Sequence, residues 1–490
     1  MNQGSNGGDS GRWLALALLG TAFFMVILDG TIVITALPVI GHELGLSTGA
    51  VQWVLSAYLI CFGGFLLLGG RTADLLGRRR VFMAGVGLFI ASSLACGLAP
   101  GADVLIAARV IQGISAAIMA PTALSLLMTV FPEGSERNKA LGIWGGIGGT
   151  GATAGLLIGG PITDALGWEW IFFINVPVGL ALLAMTPRLL PESVDPNCTR
   201  CFDVAGAVTV TAGVLALVLA IAEAPDAGWG SSQTIGLLAA SATLIASFAW
   251  IEARSPAPLL PLRIFRSRSL IGGNLVLLAA GMCVDGMLVI ATLYAQDVLG
   301  YSTVQFGLMT AVMTVTSVIG AYSAQNLVGK VGTRRVALAG MTLIGVACVL
   351  FTQVSVDGSY VDDLFFGLLI FGPGLGAAFV ASQIAALAGV AEEESGLAAG
   401  LVDSAFNVGG ALGIAILSTV AVAIARSEDV VEGAGGAAEL SAMTEGFQSA
   451  FAVAVGFAIV GALVALLFLR GGSTGEAAPP LVVATQDARA

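Results

Sequence analysis

The chain has 490 residues, of which 57% are hydrophobic and only 10% charged, whereas a soluble domain carries roughly 25% charge. That imbalance excludes an ordinary soluble domain, and the formal net charge of -11 argues against nucleic acid as a partner. The composition is that of an all-α, polytopic transmembrane helical bundle.

Apolar runs of about 20 residues, each enough to cross a hydrocarbon core of roughly 30 Å as a helix, begin near residues 13, 51, 81, 104, 140, 170, 203, 234, 270, 303, 334, 361, 396 and 448. Fourteen spans are therefore predicted. The first, about Trp13 to Leu37, is longer than the core of a secretory signal and lacks a small-x-small cleavage site before the next run, so it reads as a permanent helix. The predicted organisation is a tail at 1–12, a six-helix half at 13–190, two inserted helices with flanking loops at 191–269, a second six-helix half at 270–470, and a tail at 471–490. Both tails are biased to Gly, Ser, Ala and Pro and read as disordered.

An even number of spans puts both termini on one side, and loop charge tests this independently of hydropathy. The terminal side collects Arg12, the Arg71 to Arg80 loop, Arg137 with Lys139, Arg188, Arg200, Arg254 through Arg268, and Lys330 with Arg334 and Arg335. The opposite loops hold Arg426 alone, beside His42 and acids such as Glu43, Asp164, Asp297 and Asp362. Cytoplasmic termini follow. The acidic stretch Glu392 to Glu394 is the exception, a predicted cytoplasmic loop with no positive charge, and Ser427 to Glu445 reads as an acidic outer loop.

Of six cysteines, Cys61, Cys96, Cys283 and Cys348 fall inside apolar runs, where a thiol behaves as a small hydrophobe. Cys198 and Cys201 form the lone C-x-x-C, and the single histidine, His42, lies in a different loop. Zinc needs four ligands, so no metal site is expected.

The segment Gly77-Arg-Arg-Arg-Val-Phe-Met-Ala-Gly85 matches Gly332-Thr-Arg-Arg-Val-Ala-Leu-Ala-Gly340 at an offset of 255, and Gly113-x-x-Ala-Ala-x-x-Ala is echoed from Gly374. Repeats of this kind are how secondary transporters build a midplane site that opens alternately to the two faces.

Several segments resemble the signature motifs of the major facilitator superfamily, in particular its fourteen-helix drug:proton antiporters. Leu28-Asp29-Gly-Thr31-Ile-Val-Ile34-Thr-Ala-Leu-Pro38 is similar to L-D-x-T-I-V-N-x-A-L-P, with Ile34 in place of Asn. Gly70-Arg71-Thr-Ala-Asp74-Leu-Leu-Gly77-Arg78-Arg79-Arg80 resembles the superfamily-wide loop motif, in which Asp74 and the arginines imply a conformational latch. Arg109-Val-Ile-Gln112-Gly113 resembles R-x-x-Q-G, which that family associates with proton transfer. Gly151, Gly155, Gly159 and Gly160 resemble the antiporter motif G-x-x-x-G-P-x-x-G-G, with Leu156 at the Pro position and Pro161 after the glycine pair. Trp168-Glu169-Trp170-Ile-Phe-Phe-Ile-Asn175-Val-Pro177 resembles W-R-W-x-F-x-x-N-x-P. The resemblance implies a monomeric exporter of small lipophilic molecules in a bacterial inner membrane, driven by the proton motive force without a cofactor.

Proton coupling needs a titratable group inside the membrane, and His42 is predicted at the outer surface. The candidates are carboxylates within spans: Asp29, Asp285 and Asp403. Removal from water disfavours the charged form of such groups and makes them expensive in lipid. Asp29 and Asp285 lie 256 residues apart at nearly equivalent places in the two halves, so both are expected to reach a central cavity from opposite walls, with Arg109 tuning Asp29. A purely structural Asp29–Arg109 pair is the competing reading. Asp403 opens the stretch Asp403-Ser-Ala-Phe406-Asn407-Val-Gly409-Gly410, which resembles a family segment carrying Asn and Arg at the first and fourth positions. An extra acid and a missing base favour cationic cargo.

One proton moving down roughly 100 mV releases about 2.3 kcal/mol, enough for about a fiftyfold gradient of neutral cargo. Neither Lys139 nor Lys330 is followed by Ser or Thr, so the P-loop of a nucleotide-driven pump is missing. The alternatives are a proton symporter importing a metabolite, which shares the architecture, and a membrane enzyme or sensor, for which no H-E-x-x-H or G-x-S-x-G set is present.

Overall fold

The computed structural model describes residues 6–46, 48–131, 135–192, 204–255, 258, 267–388, 395–427 and 436–469. Cys198, Cys201, Glu392 to Glu394 and the tail at 471–490 lie outside the described residues. The first group of helices is α1 (Asn6–Glu43), α2 (Thr48–Leu76), α3 (Arg78–Gly97), α4 (Ala102–Val130), α5 (Ser135–Leu166), the short α6 (Trp170–Phe173) and α7 (Asn175–Leu189). Then come α8 (Val204–Ala227) and α9 (Ser232–Arg254). The second group is α10 (Arg268–Leu293), α11 (Thr303–Val331), α12 (Thr333–Phe351), α13 (Phe366–Leu387), α14 (Ser395–Ser427) and α15 (Gly436–Phe468). A π-helical turn at Tyr294–Val298 extends α10, and another at Tyr360–Phe365 leads into α13.

Among the described residues, eleven helices are long and apolar enough to cross a membrane, and α2, α5 and α8 contain the shorter apolar stretches Ala50–Leu66, Ala154–Leu166 and Val208–Ile221. The outward surface is apolar: Leu467 is 71% exposed and Leu308 62%, a placement that water penalises and lipid accepts. Two boundaries differ from the sequence reading: α1 starts at Asn6, so the second half of the expected N-terminal tail is helical, and α15 begins at Gly436, inside the expected acidic loop. α6 and α7 run on as one span through Ile174, whose own backbone is helical (φ -60°, ψ -27°).

Chain ends of several helices are closed by side chains. Ser231 and Ser267 accept from the backbone N–H groups of Thr234 and Leu270, and Ser302 forms a capping box with Gln305. The turns entering α3 and α12 both require glycine, because Gly77 has φ 102° and Gly332 has φ 85°, a region that side chains with a Cβ rarely adopt. The first sequence repeat is therefore also a backbone repeat. The second is not: Gly113 packs on Tyr58 of α2, whereas Gly374 packs on Gly340 and Ile344 of α12.

Helices α1, α2, α3, α4, α5 and α7 pack among themselves, as do α10 through α15, and the two groups meet through α2 against α14 and α5 against α11. The glycines of α5 set the approach of α1. A methyl on Gly155 would lie 2.9 Å from both Leu28 O and Ile32 N, and one on Gly159 would lie 2.8 Å from Ile32 O, so only a bare backbone fits. In the second group α10 and α14 approach the same way: methyls on Gly286 and Gly409 would meet Gly413 and Leu278 backbone atoms at 3.0 Å and 2.9 Å.

Gly155→Val should cost about 1 to 3 kcal/mol or more through overpacking, seen as a lower thermal midpoint in detergent. Gly87→Ala, where a methyl meets nothing within 4 Å, should stay within about 0.5 kcal/mol of the parent; equal midpoints for the two variants would refute the packing account.

Candidate functional site

The first group of helices encloses a polar cluster with no exposed surface. Asp29 of α1 and Arg109 of α4 are each 0% exposed and form an ion pair with Arg109 Nη1 2.5 Å from Asp29 Oδ2. The other carboxylate oxygen, Oδ1, accepts from Gln112 Nε2 at 2.8 Å and from Asn175 Nδ2 at 2.7 Å. Ser93 Oγ of α3 accepts from both amides, at 2.7 Å from Gln112 and 3.3 Å from Asn175. Arg109 further donates to Gln112 Oε1 at 2.7 Å and, through Nε, to Val54 O of α2 at 2.9 Å. Its guanidinium carbon lies 4.2 Å from the centroid of the Tyr58 ring and 5.7 Å from that of Phe172, within cation–π range. Tyr58 is fixed in turn by donating to Val26 O at 2.9 Å.

Local sequence makes this geometry. Arg109 and Gln112 are three residues apart on α4 and share a face, while Gly113 lets α2 come close, since a methyl there would lie 3.1 Å from Tyr58 Cα. Asn175 enters at the start of α7. α4 and α7 thus meet α1 at the carboxylate, and α2 and α3 join the network through Val54 O and Ser93 Oγ, making a five-helix junction. A charge is tolerated inside a membrane protein when it is paired and its remaining lone pairs and protons are bonded; in this cluster Arg109 Nη2 is buried without a hydrogen-bond partner among the described residues.

The second group is built differently. Asp285 of α10 is half-buried and Asp403 of α14 exposed, and neither carboxylate has a hydrogen-bond or ion-pair partner among the described residues; Asn407 Nδ2 donates to the Asp403 backbone carbonyl at 2.7 Å. The Asp285 carboxylate lies against Gly410 of α14, where only a glycine leaves it room. Phe406 packs edge-on to Phe379, with ring centroids 5.3 Å apart, so an aromatic contact stands at the position where the family segment carries Arg. Asp29 does not face a central cavity opposite Asp285, contrary to the sequence expectation. It is sealed within the first helix group, because the periodicity of α1 does not reveal which neighbour covers each face.

The other motif residues are spread more widely. Arg78 Nη1 donates to Thr129 Oγ1 at 2.7 Å, and Arg79 donates to Leu190 O at 3.2 Å and lies 3.6 Å from Glu192. Both ties stay within the first helix group. Gly70 faces Pro121 of α4, and the side chain of Asp74 lies outside the described residues. Thr31 bonds back to Ile27 O and Leu28 O at 3.2 Å, and Gly151 meets Ile27 of α1. Gly160 faces Val304 of α11, where a methyl would lie 2.7 Å from Cα. Pro38 lines a cavity of about 340 Å³ between the helix groups, with His42, Glu43, Asp164, Gln296 and Asp297. Sequence reasoning did not single out Ser93 and Tyr58. Asn175 lay in a motif whose role it left unassigned.

Residues 19–414, with a second overlapping match at 302–486, fit the model of the Major Facilitator Superfamily. The chain is 36% identical to the puromycin resistance protein of Streptomyces alboniger, over 94% of its own length and 92% of that protein's. It is 35% identical to the tetracenomycin C resistance and export protein of Streptomyces glaucescens, covering 83% and 76% of the two chains, and 35% identical to the cephamycin export protein of Amycolatopsis lactamdurans, covering 83% and 84%. The fold is similar to that of a bacterial homologue of the lysosomal transporter Spinster, solved inward-facing and unoccupied, with TM-score 0.66, 18% identity and coverage of 95% and 97%. The family match and these relatives make the chain a multi-pass membrane transporter of small molecules. The chain belongs to the major facilitator superfamily.

Arg109→Leu strands the Asp29 carboxylate and should cost about 3 to 5 kcal/mol, read as a fall in unfolding midpoint. Adding Asp29→Asn should recover most of the loss; a double variant no more stable than Arg109→Leu would show that the two side chains are not energetically coupled.

Proposed function

We propose that the chain exports small lipophilic, cationic drugs or antibiotics in exchange for protons, by alternating access between two six-helix halves. The observation that carries this reading is the contrast between carboxylates: Asp29 is enclosed with Arg109, Gln112 and Asn175, while Asp285 and Asp403 stand without counter-ions on α10 and α14. Asp29 with Arg109 is the proton-responsive element. A proton on Asp29 removes the negative partner that holds Arg109, so the five-helix junction loosens only when one arrives. Asp285 and Asp403 form the wall that meets a cation, because an unpaired carboxylate near an apolar surface gains most from a lipophilic positive charge. The names of the resistance and export proteins it is similar to support the direction of transport.

The bundle in this reading has fourteen spans, with boundaries at 13–190, 191–269 and 270–470, cytoplasmic termini, an inner-membrane location and a monomeric working unit. Support comes from the eleven long apolar helices together with the shorter stretches in α2, α5 and α8, and from the loop charge asymmetry. Among the described residues, the helix groups are tied at mid-height and at the end away from the termini: Ser404 Oγ donates to Gly63 O at 2.7 Å, Gln296 Nε2 donates to Thr35 O at 3.0 Å, and Gly160 abuts Val304. Such a pattern closes the outer side. Arg78 and Arg79, with Gly70, Asp74 and Gly77, serve as the conformational latch at the other end. The proton motive force drives the cycle, and no cofactor enters it.

In cells, a protonophore should abolish resistance to ethidium-like cations. Asp285→Asn or Asp403→Asn should lower export of such a cation about tenfold, the worth of one charge-assisted contact, and leave an uncharged drug within about twofold. Equal losses for both cargoes would remove the carboxylates from recognition. Everted vesicles distinguish the importing alternative, since cargo addition must release lumenal protons for exchange and consume external ones for symport.

A further inference from the structure

Helices α8 and α9 lie outside the two packed groups, yet α8 touches both, through α2 on one side and α14 on the other. The two contacts differ in kind and in height. Toward the end of α8 that lies near the termini, Thr211 presses on the flat backbone of Gly64 in α2, where a methyl would come within 2.9 Å of the Thr211 Cγ2. The Thr211 hydroxyl is buried there and has no hydrogen-bond partner among the described residues. Ten residues later, roughly 15 Å along the axis, Ile221 O accepts from Thr419 Oγ1 of α14 at 3.1 Å. α8 therefore crosses the α2–α14 seam diagonally. α9 is bound to α8 rather than to either group, since Ser241 Oγ donates to Gly213 O at 2.8 Å in a buried contact.

We infer that α8 and α9 travel with the second helix group, hinged at Thr211 on Gly64 and anchored at Thr419, so that they act as a strap sliding over α2 as the groups rock. This inference rests on the alternating-access reading above. Its physical basis is the cost of breaking each contact. A hydrogen bond at membrane depth has no water to replace it, so the part-buried Thr419–Ile221 bond resists separation at the outer end, where rocking moves the helices most. The Thr211–Gly64 contact has no bond to lose and a smooth glycine surface on which to turn. It also sits one residue from Gly63, whose carbonyl accepts from Ser404 Oγ of α14 near mid-height, where displacement between the groups is smallest. Shear between packed elements follows such unbonded, small-residue surfaces.

The test uses the full chain with its native cysteines replaced, spin-labelled in pairs at exposed positions: Ile235→Cys on α9, Leu94→Cys on α3 and Ala452→Cys on α15. Distances are measured under two conditions between which the α3–α15 pair shifts. The α9–α15 distance should stay constant while the α9–α3 distance shifts by of order 5 Å; a shift in α9–α15 with α9–α3 constant, or shifts in both, overturns the proposal. Independently, an oxidised Ile221→Cys/Thr419→Cys disulfide should leave ethidium export within about twofold of its reduced form. Loss of export on oxidation, restored by reductant, would show that α8 must separate from α14. A constant α3–α15 distance under every condition would instead count against rocking of the two groups, and the disulfide would still decide whether α8 has to leave α14.

Discussion

A guanidinium placed where no water can reach it dictates the layout of the first helix group. Arg109 is fully buried, and the structure answers with a carboxylate from α1, an amide from its own helix, a carbonyl from α2 and the faces of Tyr58 and Phe172. The partners come from α1, α2 and α6 as well as from its own α4, so the charge specifies where these helices stand relative to one another. Apolar packing in lipid gives little such direction, because tails and side chains are equally greasy. The glycines then bring the backbones close enough for the partners to reach.

Among the described residues, the second group has no comparable centre. It is held by glycine-to-backbone approach between α10 and α14 and by aromatic contacts such as Phe351 with Phe451 and Phe379 with Phe406. The two groups share the turn geometry at Gly77 and Gly332 but not the polar interior. One half carries a satisfied charge pair and the other carries carboxylates waiting for a partner. The proposed division of labour between proton and cargo rests on this difference rather than on the sequence symmetry of Asp29 and Asp285.

The membrane class and most helices were legible in hydropathy, because twenty apolar residues leave few other fates. Asp29, Arg109 and Gln112 were legible as a constellation through their motifs, and so was the need of Arg109 for a partner. Ser93 and Tyr58 were not: a lone hydroxyl in an apolar run has the same sequence appearance whether it bonds to its own helix, as Thr186 does with Leu182 O, or to a charge network. Asn175 was in view but without a role, since its part depends on a bond to Asp29 of a distant helix. The orientation of Asp29 was misread for a related reason. Periodicity gives the faces of a helix, and only the neighbours decide which of them is inside.

The exposed apolar belt has a bearing on how the protein behaves once extracted. α9 is the least buried of the long apolar helices, with only 11% of its most apolar stretch inside the fold, so hydrocarbon around it supplies contacts that the polypeptide does not. A micelle with short or scarce chains withdraws that support first from α9 and only later from the glycine-locked helices. Solubilised preparations of this chain are thus complexes of polypeptide and amphiphile, and their thickness and chain length are as much a part of the native state as any side chain.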